Sequence, residues 1–290
     1  MSGSTSGILL VDKPGGVTSH DVVSRTRKAL GTRKVGHAGT LDPMATGLLV
    51  LGVGSSTRLL TYLVGLDKEY LATIRLGAGS TTDDAEGELG ERADAAALAA
   101  VTDAAIAAGA AGLTGRISQR PSTVSAIKVD GRRAYALARA GEEVVLAERP
   151  VTIAAFEVLG VRRGDWIDVD VRVECSSGTY VRALARDLGA GLGVGGHLTA
   201  LRRTRIGPFR VEEVGDTLLA PAAVAARLFP TVSLDAQAAA DLATGKRVAV
   251  VGEGGPIAAL GPDGGLIGLV RVDEGRARVL VNFPADEVLA

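Results

Sequence analysis

Gly36-His37-Ala38-Gly39-Thr40-Leu41-Asp42-Pro43-Met44-Ala45-Thr46-Gly47 gathers one carboxylate, one histidine, two threonines and three glycines between a basic segment and an apolar run. A carboxylate delivered on a shaped loop can form a covalent intermediate that divides a difficult step into easier ones. Pro43 disfavours helical backbone at the residue before it, so Asp42 is biased toward an extended conformation. The glycines permit tight turns and close approach of a ligand. Leu48-Leu49-Val50-Leu51 then predicts a strand, which puts Asp42 at a strand's edge. An isolated Asp-Pro would simply start a turn; the full string carries more than the dipeptide.

Other reactive side chains stand in defined contexts. Tyr70 follows Leu66-Asp67-Lys68-Glu69 and leads a strand. Tyr180 and Arg182 lie in Cys175-Ser176-Ser177-Gly178-Thr179-Tyr180-Val181-Arg182, and Leu201, Arg202 and Arg203 close His197-Leu198-Thr199-Ala200-Leu201-Arg202-Arg203. Taken singly, Tyr70 and Leu201 read as core residues and Arg182 as a helix-surface charge. Gly191-Leu192-Gly193-Val194-Gly195-Gly196 matches a dinucleotide fingerprint in letters only. Such a fingerprint follows a strand and opens a helix, whereas the preceding residues here are helical. Asp168 and Asp170 fall mid-strand, as solvated acids on a polar face. Asp83, Asp84, Glu86 and Glu88 read as a solvated cluster without the spacing of a calcium loop. His20, His37 and His197 lack partners at metal-ligand spacing, so no metal is expected.

These groups need elements to hold them. Gly7–Pro14 predicts a short strand ended by Lys13-Pro14. Ser19 is placed to cap a helix to about Leu30, which Gly31 stops. A strand through Val53, a short helix over 57–63 and a strand over 70–76 follow. The alanine-rich segment 93–108 predicts one outer helix. Residues 122–129 read as extended and 132–140 as helical. Segments 151–161 and 166–174 predict paired antiparallel strands, the second with Ile167, Val169, Val171 and Val173 on one face. A helix over 179–188, a strand over 198–206 and a helix over 221–228 complete the larger part. After Pro230 come a helix over 236–244 and four short strands between glycine-rich turns.

The fold class expected is therefore α+β: a central, mostly antiparallel sheet flanked by helices, then a small β-rich C-terminal domain. The expected boundaries are a disordered tail over 1–6, a catalytic domain over 7–230 and the small domain over 231–290.

The composition suits a soluble globular chain of 290 residues, 47% hydrophobic and 22% charged. With aromatics at 3%, a broad base-stacking platform is excluded. The net charge of −1 weighs against nucleic-acid binding overall, but the clusters Arg25, Arg27, Lys28, Arg33, Lys34 and Arg202, Arg203, Arg205 are local basic patches. The single cysteine, Cys175, forbids an intrachain disulfide and fits a reducing cytoplasm. The polar start and the absence of a long apolar stretch predict a cytoplasmic protein outside the membrane.

The motifs around Asp42, Tyr70, Arg182 and Leu201, with Val11-Asp12-Lys13-Pro14 and Ser125-Ala126-Ile127-Lys128, occur in one order over residues 7–206. That ordered set resembles the TruB family of tRNA pseudouridine synthases. The resemblance implies isomerisation of uridine 55 in the T-arm of tRNA, after base flipping, with Asp42 as catalytic nucleophile and no cofactor. It implies that Arg182 pairs with Asp42, that Tyr70 stacks on the uracil, and that Tyr180 and Leu201 complete the base pocket. His37 would fill the space left by displaced bases. Lys13, Arg202 and Arg203 would contact substrate, and the C-terminal segment resembles a reduced PUA-type RNA-binding domain. A monomer with tRNA as partner, and no nucleotide cofactor, is expected. Attack at C1′, attack at C6 and a glycal route are all chemically open. Val124 and Ser177 depart from the family pattern, which often has an aromatic and a lysine there. Two rival readings are a non-catalytic RNA-binding or RNA-folding protein and a nucleotide-dependent enzyme using the 191–196 glycines.

Overall fold

The computed structural model describes residues 6–123, 128–129, 132–133 and 146–283. The chain forms two compact units, one of Met1–Pro43, Gly47–Val64 and Pro208–Ala290, the other of Met44–Thr46 and Gly65–Gly207.

In the first unit, β1 (Gly7–Lys13) pairs antiparallel with β3 (Thr46–Val53), from Gly7 opposite Val53 to Lys13 opposite Gly47. The apolar run makes β3 buried along nearly its whole length. The short strand β2 (Val35–His37) also pairs with β3. Helix α1 (Ser19–Ala29) presents Val22 and Val23 to Val35, Leu49, Leu51 and Val53. Its cap is Thr18 rather than the expected Ser19. The reason is a reciprocal capping box: Asp21 N–H donates to the Thr18 hydroxyl, and Thr18 N–H donates to the Asp21 carboxylate. The expected helix over 57–63 begins earlier, as a tight turn over Gly54–Leu59, and continues as α2 (Leu60–Val64). Ser6, expected in the N-terminal tail, is buried, and its hydroxyl accepts from Ser55 N–H at 3.0 Å.

The second unit is an antiparallel sheet. β4 (Lys68–Leu76) lies between β9 (Ile167–Cys175) and β10 (Gly196–Ile206), and β8 (Arg149–Arg163) lies between β9 and β5 (Gly115–Gln119). Strand β5 was not foreseen; its alternation is too short to stand out. Ile167, Val169, Val171 and Val173 are buried as the alternation predicts. The opposite face carries cross-strand ion pairs, Arg75 with Asp168 at 2.8 Å and Arg172 with Glu69 at 2.8 Å. Asp168 and Asp170 are thus paired strand acids, the latter accepting from Thr73 at 2.7 Å. The alanine-rich segment forms two helices, α3 (Ala95–Ala100) and α4 (Asp103–Gly112). Thr102 divides them, because its hydroxyl accepts from Ala105 N–H and starts a new helix. Arg132–Arg133 is extended (β7), paired with β6 (Lys128–Val129), rather than the start of a helix. The rest of that expected helix, and Val124, Ser125, Ala126 and Ile127, lie outside the described residues.

Helix α5 (Val181–Gly191) joins β10 through residues 192–195. The order helix, turn, strand is the reverse of a dinucleotide site. These glycines serve close packing instead. A Cβ on Gly189 would lie 2.2 Å from Gly195 C, and Gly195 has φ +71°.

Beyond β11 (Phe209–Arg210) and α6 (Pro221–Leu228), the C-terminal segment forms a five-stranded sheet ordered β12 (Thr231–Ser233), β14 (Gly254–Leu260), β15 (Leu266–Asp273), β16 (Arg276–Asn282) and β13 (Val248–Ala249). With α7 (Ala236–Ala243), it encloses a core that includes Leu242, Val270 and Val272. The fold is mixed α and β, as expected. Among the described residues no helix is long and apolar enough to cross a membrane.

Candidate active site

Asp42 lies in the first unit, between β2 and β3, where no strand ladder holds the chain. Other bonds fix it. The Ser19 hydroxyl accepts from Leu41 N–H at 2.9 Å and donates to Leu41 C=O at 3.2 Å. On the other side of Asp42, Pro43 C=O accepts from Gly16 N–H at 2.9 Å and from the Lys13 ammonium at 3.2 Å. Gly39 turns the chain with φ +91°, and Ala38 N–H donates to Val50 C=O. Asp42 itself is half-buried, as is His37, whose ring stands edge-on to His20 at 5.5 Å.

Lys13 was expected to touch substrate. It is fully buried, and its ammonium also donates to the carbonyls of Pro14 and Val17, at 3.0 and 2.7 Å. These bonds join it to the backbone around the Asp42 loop. Three carbonyl partners satisfy a buried ammonium that would otherwise be costly.

The second unit holds the other expected residues. Tyr70 is buried on β4, opposite Arg203 on β10 and Val173 on β9. Leu201, also buried, faces Ala72 two register positions along. Alternation along the strands therefore puts Tyr70, Leu201 and Arg203 on one sheet face. Within the arginine cluster Arg203 is only 1% exposed, whereas Arg202 and Arg205 are half-buried. Beside Arg203, Lys68 is held at a pKa of about 8, chiefly by burial and secondarily by the Arg203 charge. The neighbouring strand carries Cys175, whose thiol burial pushes up to about 11, an inert buried thiol as expected.

Tyr180 precedes α5 and has no side-chain cap. The buried Gln119 holds its backbone instead: Tyr180 N–H donates to Gln119 Oε1 at 2.8 Å, and Gln119 Nε2 donates to Tyr180 C=O at 3.1 Å. Two residues on, Arg182 donates to Asp84 at 3.1 Å and to Thr82 C=O at 3.0 Å. Arg186, on the same helix face, pairs with Asp83 at 3.1 Å.

The expectation of a solvated acidic cluster over 83–88 fails for Asp83 and Asp84, which are 9% and 1% exposed. Two arginines four apart on a helix and two adjacent aspartates elsewhere were the signal in the sequence. Ser19 and Gln119 gave no such signal, because their partners are backbone groups.

The sequence matches known families over most of its length. Residues 27–181 match the TruB family pseudouridylate synthase (N terminal domain). Residues 182–225 match the tRNA pseudouridylate synthase B C-terminal domain, and residues 229–284 match tRNA pseudouridine synthase II, C terminal. The chain is 62% identical, over 98% of both chains, to the tRNA pseudouridine synthase B of Leifsonia xyli subsp. xyli (strain CTCB07). It is 53% identical to that of Thermobifida fusca (strain YX), over 96% of this chain and 98% of the other. Among solved structures, it resembles a chain of a Cbf5-Nop10-Gar1 complex at TM-score 0.67 and 26% identity, over 97% of this chain and 84% of that one. A chain of an H/ACA RNP bound to a substrate RNA containing 2′-deoxyuridine shares the fold at TM-score 0.70 and 24% identity, over 98% of this chain and 87% of the other.

Fold and sequence together define a pseudouridine synthase, an isomerase that rejoins a base to its sugar through carbon. Within that class, the chain belongs to the TruB family.

Proposed function

We propose that this protein converts uridine 55 in the T-arm of tRNA to pseudouridine, with Asp42 as the nucleophile. The observation that carries the substrate is the sustained identity, 62% over 98% of the chain, to a relative named tRNA pseudouridine synthase B. The bracing of the peptides on both sides of Asp42 supports the choice of residue, since a reacting carboxylate must be held in a fixed direction.

The reaction breaks the N1–C1′ bond, turns the uracil and forms a C5–C1′ bond; C5 gives up a proton and N1 gains one. Atoms balance within the nucleotide, so no group donor takes part. Flipping the uridine out of its loop costs a few kcal/mol. Tyr70 stacks on the flipped base, and Tyr180 and Leu201 wall its pocket. The family resemblance gives Arg182 a part in the reaction as a fixed cation. His37 occupies the space the displaced bases leave. Arg202 and the basic cluster at 25–34 meet phosphates, and residues 231–290, as a PUA-like segment, add RNA contact. Such contacts weaken as salt rises.

The test is a tRNA transcript incubated with the enzyme and mapped by carbodiimide labelling and primer extension. One stop, a nucleotide 3′ of position 55 and absent when that uridine is replaced by cytidine, is the expected result. A stop elsewhere, or none, contradicts the assignment.

A further inference from the structure

The hydroxyl of Ser19 has no capping role. Thr18 and Asp21 already complete the capping box of α1, so Ser19 is the first helical residue and its side chain is available for other work. It is 1% exposed and turns to the Asp42 loop, 22 positions ahead in sequence. There one oxygen engages both backbone polar groups of Leu41, accepting from the N–H at 2.9 Å and donating to the C=O at 3.2 Å. Leu41 is itself 4% exposed, so its peptide groups have little access to water. Buried backbone groups require partners, and in a segment without a strand ladder the serine supplies them.

We infer that Ser19 is a positioning residue for the reaction: it fixes the peptide immediately before Asp42 and thereby aims the carboxylate. This rests on the reading of Asp42 as the nucleophile. Pro43, the residue after Asp42, is tied to Lys13 and Gly16. Asp42 thus stands between two anchored neighbours, and both anchors contribute to its direction. Removing the Ser19 hydroxyl frees the preceding anchor and leaves the following one intact. The carboxylate then shifts relative to a bound uridine, while RNA contacts made elsewhere remain. A misplacement of about 1 Å can slow a positioned reaction by on the order of 100-fold.

The experiment compares full-length wild type, Ser19→Ala, Thr18→Ala and Asp42→Asn on a tRNA transcript, measuring kcat, KM and Tm. Thr18→Ala is the control for helix stability, because it breaks the cap of the same helix without touching Leu41. The expected result for Ser19→Ala is a kcat lowered by about 10- to 100-fold with KM within about twofold of wild type. Thr18→Ala lowers Tm and keeps kcat within about twofold. If Ser19→Ala fails to fold, Ser19→Cys gives the same reading, since a thiol fills the site but is a weak hydrogen-bond partner. Wild-type kcat in the folded serine variant overturns the inference, and so does an equal kcat loss in Thr18→Ala. Activity in Asp42→Asn instead overturns the parent reading. An inactive Asp42→Asn with an unimpaired Ser19 variant strikes this inference alone.

Discussion

Arg182 and Asp84 form a buried ion pair, at 3.1 Å, with side chains only 5% and 2% exposed. The second carboxylate oxygen of Asp84 accepts from the Thr82 hydroxyl at 2.5 Å and from Glu86 N–H at 3.0 Å. One aspartate therefore orders its own loop and holds the helix arginine that follows Tyr180. Asp84→Ala would leave the guanidinium buried without that partner. Breaking a buried pair in this way costs about 3–5 kcal/mol, which denaturant unfolding measures directly. A loss below about 1 kcal/mol would contradict the account.

Lys68 gives a pH signature. Its folded pKa of about 8 lies below the ordinary 10.5, through burial first and Arg203 second. Between those values the unfolded chain holds a proton that the folded chain has released, so stability from this group rises with pH. Below pH 8 both states are protonated, and the fold carries the full cost of the buried charge. The Tm of wild type should therefore gain on that of Lys68→Met between about pH 8 and 10.5. A constant difference across that window would contradict the assignment.

Gly189 tests the packing of the glycine-rich turn. An alanine there brings Cβ against Gly195 C and Gly196 N, both at 2.2 Å and both backbone atoms. Neither neighbour is the mobile end of a side chain, so α5 and β10 must separate. Gly189→Ala should destabilise by about 1–3 kcal/mol or more, whereas Gly191→Ala, with open space around the new Cβ, should not show that clash. Equal Tm values for the two variants would contradict this reading.

Much of the fold is legible in the sequence because single elements announce themselves. The alternation of Ile167, Val169, Val171 and Val173 fixed a strand and its buried face. Pro221 marked the first residue of its helix. The misreadings came from competition between neighbours. Thr18 and Ser19 are both capping types, and only Asp21, three residues after Thr18, decides between them. Thr102 interrupts an alanine run that propensity alone would leave whole. At the site, the motif residues were visible as types and order, but their supports were not. Gln119 and Ser19 hold backbone groups 61 and 22 positions away, and nothing in their own surroundings foretells those partners. Asp83 and Asp84 looked solvated because charge runs usually are; their burial follows from Arg182 and Arg186 on a distant helix.

The role proposed for Asp42 can be measured by release of tritium from an unmodified tRNA transcript carrying [5-³H]uridine, with wild type and Asp42→Asn compared at equal tRNA occupancy. C5 must lose its hydrogen when it becomes the glycosidic carbon. Wild type should release tritium and Asp42→Asn none, with tRNA binding retained in both. Release at the wild-type rate from Asp42→Asn would contradict that role.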